Sequence, residues 1–122
     1  MIIAGLMIAG AAGAVLRYLV DRSVQGQVES DFPYGTVVIN ITGSLVLGFL
    51  TGLALHRGLS ATWVTVLGTG LCGAYTTFST FSYDSFRLLS RDASTGAVAN
   101  VLVSVVAGLG AAIAGLALGT LI

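Results

Sequence analysis

Gly58-Leu-Ser-Ala-Thr-Trp-Val-Thr-Val-Leu-Gly68-Thr-Gly70-Leu-Cys72-Gly73-Ala-Tyr-Thr76-Thr77-Phe78-Ser79-Thr80-Phe81-Ser82-Tyr83 runs through without one charged side chain. Three further uncharged stretches, 1 to 16, 32 to 56 and 93 to 122, account for most of the rest. Each is near or above the about 17–25 residues that a helix needs to cross hydrocarbon, and Tyr18, Leu19 and Val20 extend the first and shortest. The charges fall in three islands between them: Arg17, Asp21, Arg22, Glu29 and Asp31; Arg57 alone; and Asp84, Arg87, Arg91 and Asp92.

The chain has 122 residues, 56% hydrophobic and 8% charged, with a mean hydropathy of +0.99. A soluble domain carries about a quarter charged residues. At this length only roughly two-thirds of the extended surface can be buried, and ten charges cannot cover the remainder in water. The expectation is an all-α integral membrane protein, a single four-helix transmembrane domain over 1–122. Its helices are expected at 2–20, 34–55, 62–88 and 96–121, from apolar length and flanking turn signals. Pro33 suits the first turn of the second helix, where its missing N–H is not needed.

Loops this short leave no room for a soluble catalytic domain, and no enzyme activity is expected. Ala9-Gly10-Ala11 resembles a processing site, but no positive charge precedes the apolar run and Arg17 follows it. The first stretch is therefore expected to be a helix, not a cleaved signal. A single Cys72 excludes an intrachain disulfide and offers no metal-ligand cluster. Net charge is zero, with no electrostatic footprint for nucleic acid.

Seventeen glycines would weaken soluble helices, yet in membranes they let backbones approach. Gly48 and Gly52, Gly115 and Gly119, and Ala9 and Gly13 recur at one-turn spacing. They signal packing against another helix without naming which. Four thin helices do not easily enclose a pore, and a homo-oligomer is expected. Orientation is weakly coded: with Arg17 and Arg87 assigned to helices, the arginine balance falls to two against one, which permits insertion in both directions.

Thr76, Thr77, Ser79, Thr80 and Ser82, interleaved with Phe78 and Phe81, form the densest polar run inside the membrane, after Gly68, Gly70 and Gly73. Such an interval can break a helix and free backbone carbonyls, which is tolerable where they line a cavity or hold an ion. Each hydroxyl alone could bond back to the preceding turn, but the density of the cluster favours a functional path. Phe78 and Phe81 share a face of a continuing helix. Packing is the commonest fate of a Phe pair; the electropositive ring edges can also face an anion. Asn40 on the second helix, and Asn100 and Ser104 one turn apart on the fourth, are uncharged donors. Interhelical structural bonding, worth about 1 kcal/mol, is their alternative role. Arg17 is best read as snorkelling from the end of helix one, with attraction of anions to a vestibule as the alternative. Asp84 and Arg87, three apart, can pair.

Three segments together resemble the Fluc or CrcB family of small fluoride channels. They are Gly10-Ala-Ala-Gly-Ala-Val-Leu-Arg17-Tyr18, Pro33-Tyr-Gly35-Thr36 through Asn40-Ile-Thr-Gly43-Ser44, and Gly70-Leu-Cys-Gly73-Ala-Tyr-Thr76-Thr77-Phe78-Ser79-Thr80-Phe81-Ser82. The resemblance implies an antiparallel, dual-topology homodimer in the inner cell membrane. It would have two pores conducting fluoride passively out of the cytoplasm, and a third helix broken near its centre. By similarity, Phe78 and Phe81 line the pores, Asn40 donates to fluoride, and Ser79, Thr80 and Ser104 continue a polar track. A structural sodium ion at the dimer centre would be held by the backbone carbonyls of Gly73 and Thr76. Asp84 stands where the family usually has Glu, one methylene shorter, and Asn100 where it often has Tyr; with Arg17 they are the weaker candidates for a vestibule or the polar track. A proton-coupled dimeric exporter, which needs a titratable carboxylate deep in the membrane, and an accessory membrane subunit rank behind the channel.

Overall fold

A computed structural model describes residues 1–29 and 32–122, apart from the side chain of Ser79; Ser30 and Asp31 lie outside it. The described residues fold into helices: α1 (Ile2–Gln25), α2 (Tyr34–His56), α3 (61–75), α4 (Ser79–Ser90) and α5 (Ser94–Leu121). Three of them, α1, α2 and α5, are long and apolar enough to cross a membrane. The third helix, expected over 62–88 with a break near its centre, is two shorter helices, α3 and α4, separated at Thr76–Phe78. Neither half reaches the about 20 residues of a spanning helix.

The α1 helix runs past its expected end, through Asp21 and Arg22 to Gln25. Tertiary bonding accounts for the difference. The Gln25 side-chain Nε2 donates to the Phe32 carbonyl at 3.1 Å, and its Oε1 accepts from the Gly35 N–H at 3.1 Å. That second bond satisfies one of the orphan donors in the first turn of α2. Pro33 stands immediately before α2, as its chemistry favours. Gly58, at φ +67°, turns the chain out of α2 in the left-handed region open to glycine.

Small residues set the helix pairs. Methyl groups added at Gly48 and Gly115 would strike the carbonyl oxygens of Ala112 and Leu45, and one at Gly52 would lie 2.6 Å from the Leu116 carbonyl oxygen. The two glycine pairs of the sequence are thus each other's partners, pressing α2 against α5 along their length. Ala9 and Gly13 are buried on α1, where Gly13 meets the Leu71 backbone and Gly70 would crowd the Ala9 Cβ at 3.1 Å. Large apolar side chains such as Ile3, Met7, Leu55, Val106 and Ile113 point outward, the reverse of a water-soluble surface.

Within α3, Val64–Cys72 is π-helical, and the Gly73 N–H bonds the Gly68 carbonyl five residues back. π-helical turns widen a helix and concentrate at functional sites. Substituting Gly115 by Leu will drive a side chain into the α2 backbone and lower the thermal unfolding midpoint of the detergent-solubilised protein, at a cost of about 1–3 kcal/mol or more. Gly110→Leu, where the added group meets nothing within 4 Å, will leave the midpoint nearly unchanged; equal shifts in the two variants would refute this packing.

Candidate functional site

The break between α3 and α4 is held open by a side chain from another helix. Asn40 Nδ2 donates to the Thr77 carbonyl at 3.0 Å, and its Oδ1 accepts from the Thr77 N–H at 3.0 Å. In an unbroken helix that N–H would bond the carbonyl of Gly73. The Thr80 N–H, which would have returned to Thr76, goes to the Thr77 hydroxyl at 3.2 Å. Thr76 itself is extended, at ψ 163°, and its hydroxyl bonds back to the Cys72 carbonyl at 2.9 Å. The carbonyls of Gly73 and Thr76 are therefore released from their helical donors.

Two half-helix ends meet here with opposite partial charge. The first turn of α4, at Phe78–Phe81, brings the positive end of its dipole to the break, and α3 brings a negative carbonyl end. Beside them lies a groove of about 390 Å³, lined among others by Asn40, Ser44, Thr76, Thr77, Phe78, Phe81 and Ser104. The Phe78 and Phe81 rings stand with centroids 5.9 Å apart and planes inclined at 46°. Phe78 is 78% exposed. None of the lining residues carries a formal charge. Asn40 spends one amide N–H on Thr77 and has a second, and Asn40, Ser44 and Leu47 fall on one stripe of α2.

A family model described as CrcB-like protein, Camphor Resistance (CrcB), matches residues 4–116. The chain belongs to the CrcB family. A protein from Streptomyces avermitilis named Fluoride-specific ion channel FluC 1 is 56% identical over 111 residues, covering 90% of each chain. Fluoride-specific ion channel FluC 2 of Mycobacterium tuberculosis is 50% identical over 111 residues, covering 91% of this chain and 85% of its own. FluC 1 of Frankia casuarinae is 50% identical over 120 residues, covering 93% and 92%. With three helices long and apolar enough to span, this CrcB-family chain is a multi-pass membrane protein.

Not every residue expected at the site reaches the groove of this CrcB chain. Asn40, Phe78, Phe81, Thr76, Gly73 and Ser104 line it. Thr80 lines a separate polar cleft with Asp21, Gln25, Thr36, Asp84 and Arg87, and its hydroxyl accepts from Thr77 at 3.2 Å, joining the two spaces. Asp84 is buried there, accepting from the Thr36 hydroxyl at 3.0 Å with Arg87 3.9 Å away. Asn100 is wholly buried behind Ser104, and Arg17 lines neither space. The Ser79 backbone opens α4, while its side chain lies outside the described residues.

Sequence reasoning passed over Thr77 as the residue gripped by Asn40, Ser44 one turn from Asn40, and Thr36 on Asp84. The i, i+4 spacing from Asn40 could have found Ser44; the other two needed the tertiary packing. Asn40→Ala will remove both bonds to Thr77 and speed hydrogen exchange of the Thr77 amide by about fivefold or more. Asn40→Asp, which keeps the acceptor, will speed it less. An unchanged exchange rate in the Ala variant would show that Asn40 does not hold the break.

Proposed function

We propose that this chain conducts fluoride selectively and passively, exporting it from the cytoplasm down its electrochemical gradient. The observation that carries the proposal is the convergence of Asn40, Phe78, Phe81 and Ser104 on one uncharged groove at the positive end of α4. Fluoride holds its water tightly, and a pore must replace that shell with N–H and O–H donors. Amide and hydroxyl donors, ring edges and a helix N-terminus do this without a full positive charge that would trap the ion. The names of the relatives, fluoride-specific ion channels, support the same function. A carboxylate for proton exchange does not line the groove, since Asp84 sits in the neighbouring cleft bonded to Thr36.

The working unit is an antiparallel homodimer in the inner membrane bilayer, inserted in both orientations, with 61–90 completing a fourth, interrupted crossing. The exposure of Phe78 beside an uncovered groove fits a second copy closing it, so that each pore takes rings from both subunits. A structural sodium at the dimer centre is supported by the donor set: the Gly73 and Thr76 carbonyls have lost their helical partners, and hard oxygen ligands suit such a cation. Bound there, it would offset the carbonyl dipoles gathered at the break.

Purified protein in liposomes will release fluoride rapidly and retain chloride, read by ion-selective electrodes with a potassium shunt. Phe78→Ile and Phe81→Ile will each lower that flux by about tenfold or more while the protein still elutes as a dimer, losses of at least roughly 1.4 kcal/mol in barrier terms. Fluoride retention by a folded wild-type dimer, or unchanged flux in both variants, would count against the channel and the ring path respectively. A high-resolution structure in sodium will show a cation near the Gly73 and Thr76 carbonyls; an empty centre would remove the sodium.

A further inference from the structure

Behind the groove lies a short chain of polar groups that ties its wall on α5 to α4. Asn100 is 0% exposed, yet its carboxamide is bonded on both sides. Its Nδ2 donates to Ser85 Oγ at 2.8 Å, tying α5 to α4, and its Oδ1 accepts from Ser104 Oγ at 3.4 Å. Ser104 lines the groove; Ser85 and Asn100 do not.

The polarity of this chain decides what the groove meets. A serine has one O–H to give and two lone pairs to offer. While Ser104 donates to Asn100, it presents only lone pairs to the groove, which repel an anion. All three members can reverse together. Turned over, the amide accepts from Ser85 and donates to Ser104, whose own O–H is then free to point into the groove. Both polarities keep the buried amide bonded, so neither incurs the penalty of an orphaned polar group. The long 3.4 Å contact is the weak link at which reversal is easiest. Successive hydrogen bonds also polarise one another, which makes a Ser104 that is itself receiving a bond a better donor.

We infer that Ser85 and Asn100 are positioning residues that act through Ser104, forming a reversible hydrogen-bond chain that turns its hydroxyl from acceptor to donor when an anion occupies the groove. The role rests on the channel function proposed above. It gives Ser85, outside the groove and unmarked by any motif, a part in permeation. It also gives Asn100 a function other than joining helices.

A double-mutant cycle on fluoride efflux from liposomes separates the two roles. Ser85→Ala removes the far end of the chain at a partly exposed site and will lower fluoride flux about three- to tenfold, the range of one net hydrogen bond. Ser85→Thr, which keeps the hydroxyl, will restore most of it. In a Ser104→Ala background, adding Ser85→Ala will change flux by less than about twofold, because the group it acts through is gone. An equal loss in both backgrounds, no loss in either, or failure of Ser85→Ala to elute as the folded species would each overturn the inference, the first and last by showing a purely structural tie. If the wild type itself carries no fluoride, the channel function falls and takes this role with it. A conducting wild type with an additive cycle removes only the role of Ser85 and Asn100.

Discussion

The paired hydrogen bonds between the Asn40 carboxamide and the Thr77 peptide determine what the rest of the molecule can do. A peptide group in hydrocarbon must find partners, because an unmet N–H or C=O there costs several kcal/mol. An interrupted helix is therefore stable only where another element supplies them. Asn40 supplies both for Thr77, and the Thr77 hydroxyl then caps α4 at Thr80. One amide thus separates a helix into two and sets the direction of the second half.

From that separation follow the electrostatics of the site. A continuous helix over 61–90 would keep its dipole ends at its two far termini. The interrupted one brings a positive end and a set of released carbonyls to the same depth. The groove at this point is lined without formal charge, and its character comes from partial charges fixed by backbone geometry. Such a surface presents peptide N–H groups on one side of the break and carbonyl oxygens on the other. The remaining polar contacts, Asp84 with Thr36 and Asn100 with Ser85 and Ser104, sit around this centre and satisfy the buried groups that accompany it.

The scaffold that holds the break is built almost wholly from close backbone approach. Glycines on α2 and α5 leave room for carbonyl oxygens of the facing helix, and α1 fits the π-helical part of α3 through Ala9 and Gly13. Lipid gives helices no hydrophobic reason to associate, so contact at short range over a long seam has to do it. The same seam fixes the height of Asn40 on α2 relative to Ser104 on α5, and with it the two walls of the groove.

Much of this was legible in the residues alone. Uncharged length and the placement of ten charges fixed a helical membrane protein, because hydrocarbon admits few other solutions for a backbone. The density of Gly, Thr and Ser between 68 and 82 marked where the third helix could fail; polarity and ring chemistry made Asn40, Phe78, Phe81 and Ser104 candidates, and only the family resemblance gave them roles. Pairing was not legible. Gly48 names a close contact but not Ala112, and a lone amide such as Asn40 or Asn100 carries no sign of whether it meets an ion, a backbone break or a serine. Those choices depend on the relative height and rotation of helices far apart in the chain, which only the packed structure decides. For the same reason the residues alone did not say that Thr80 would stand in the cleft beside Asp84 while Ser104 lines the groove.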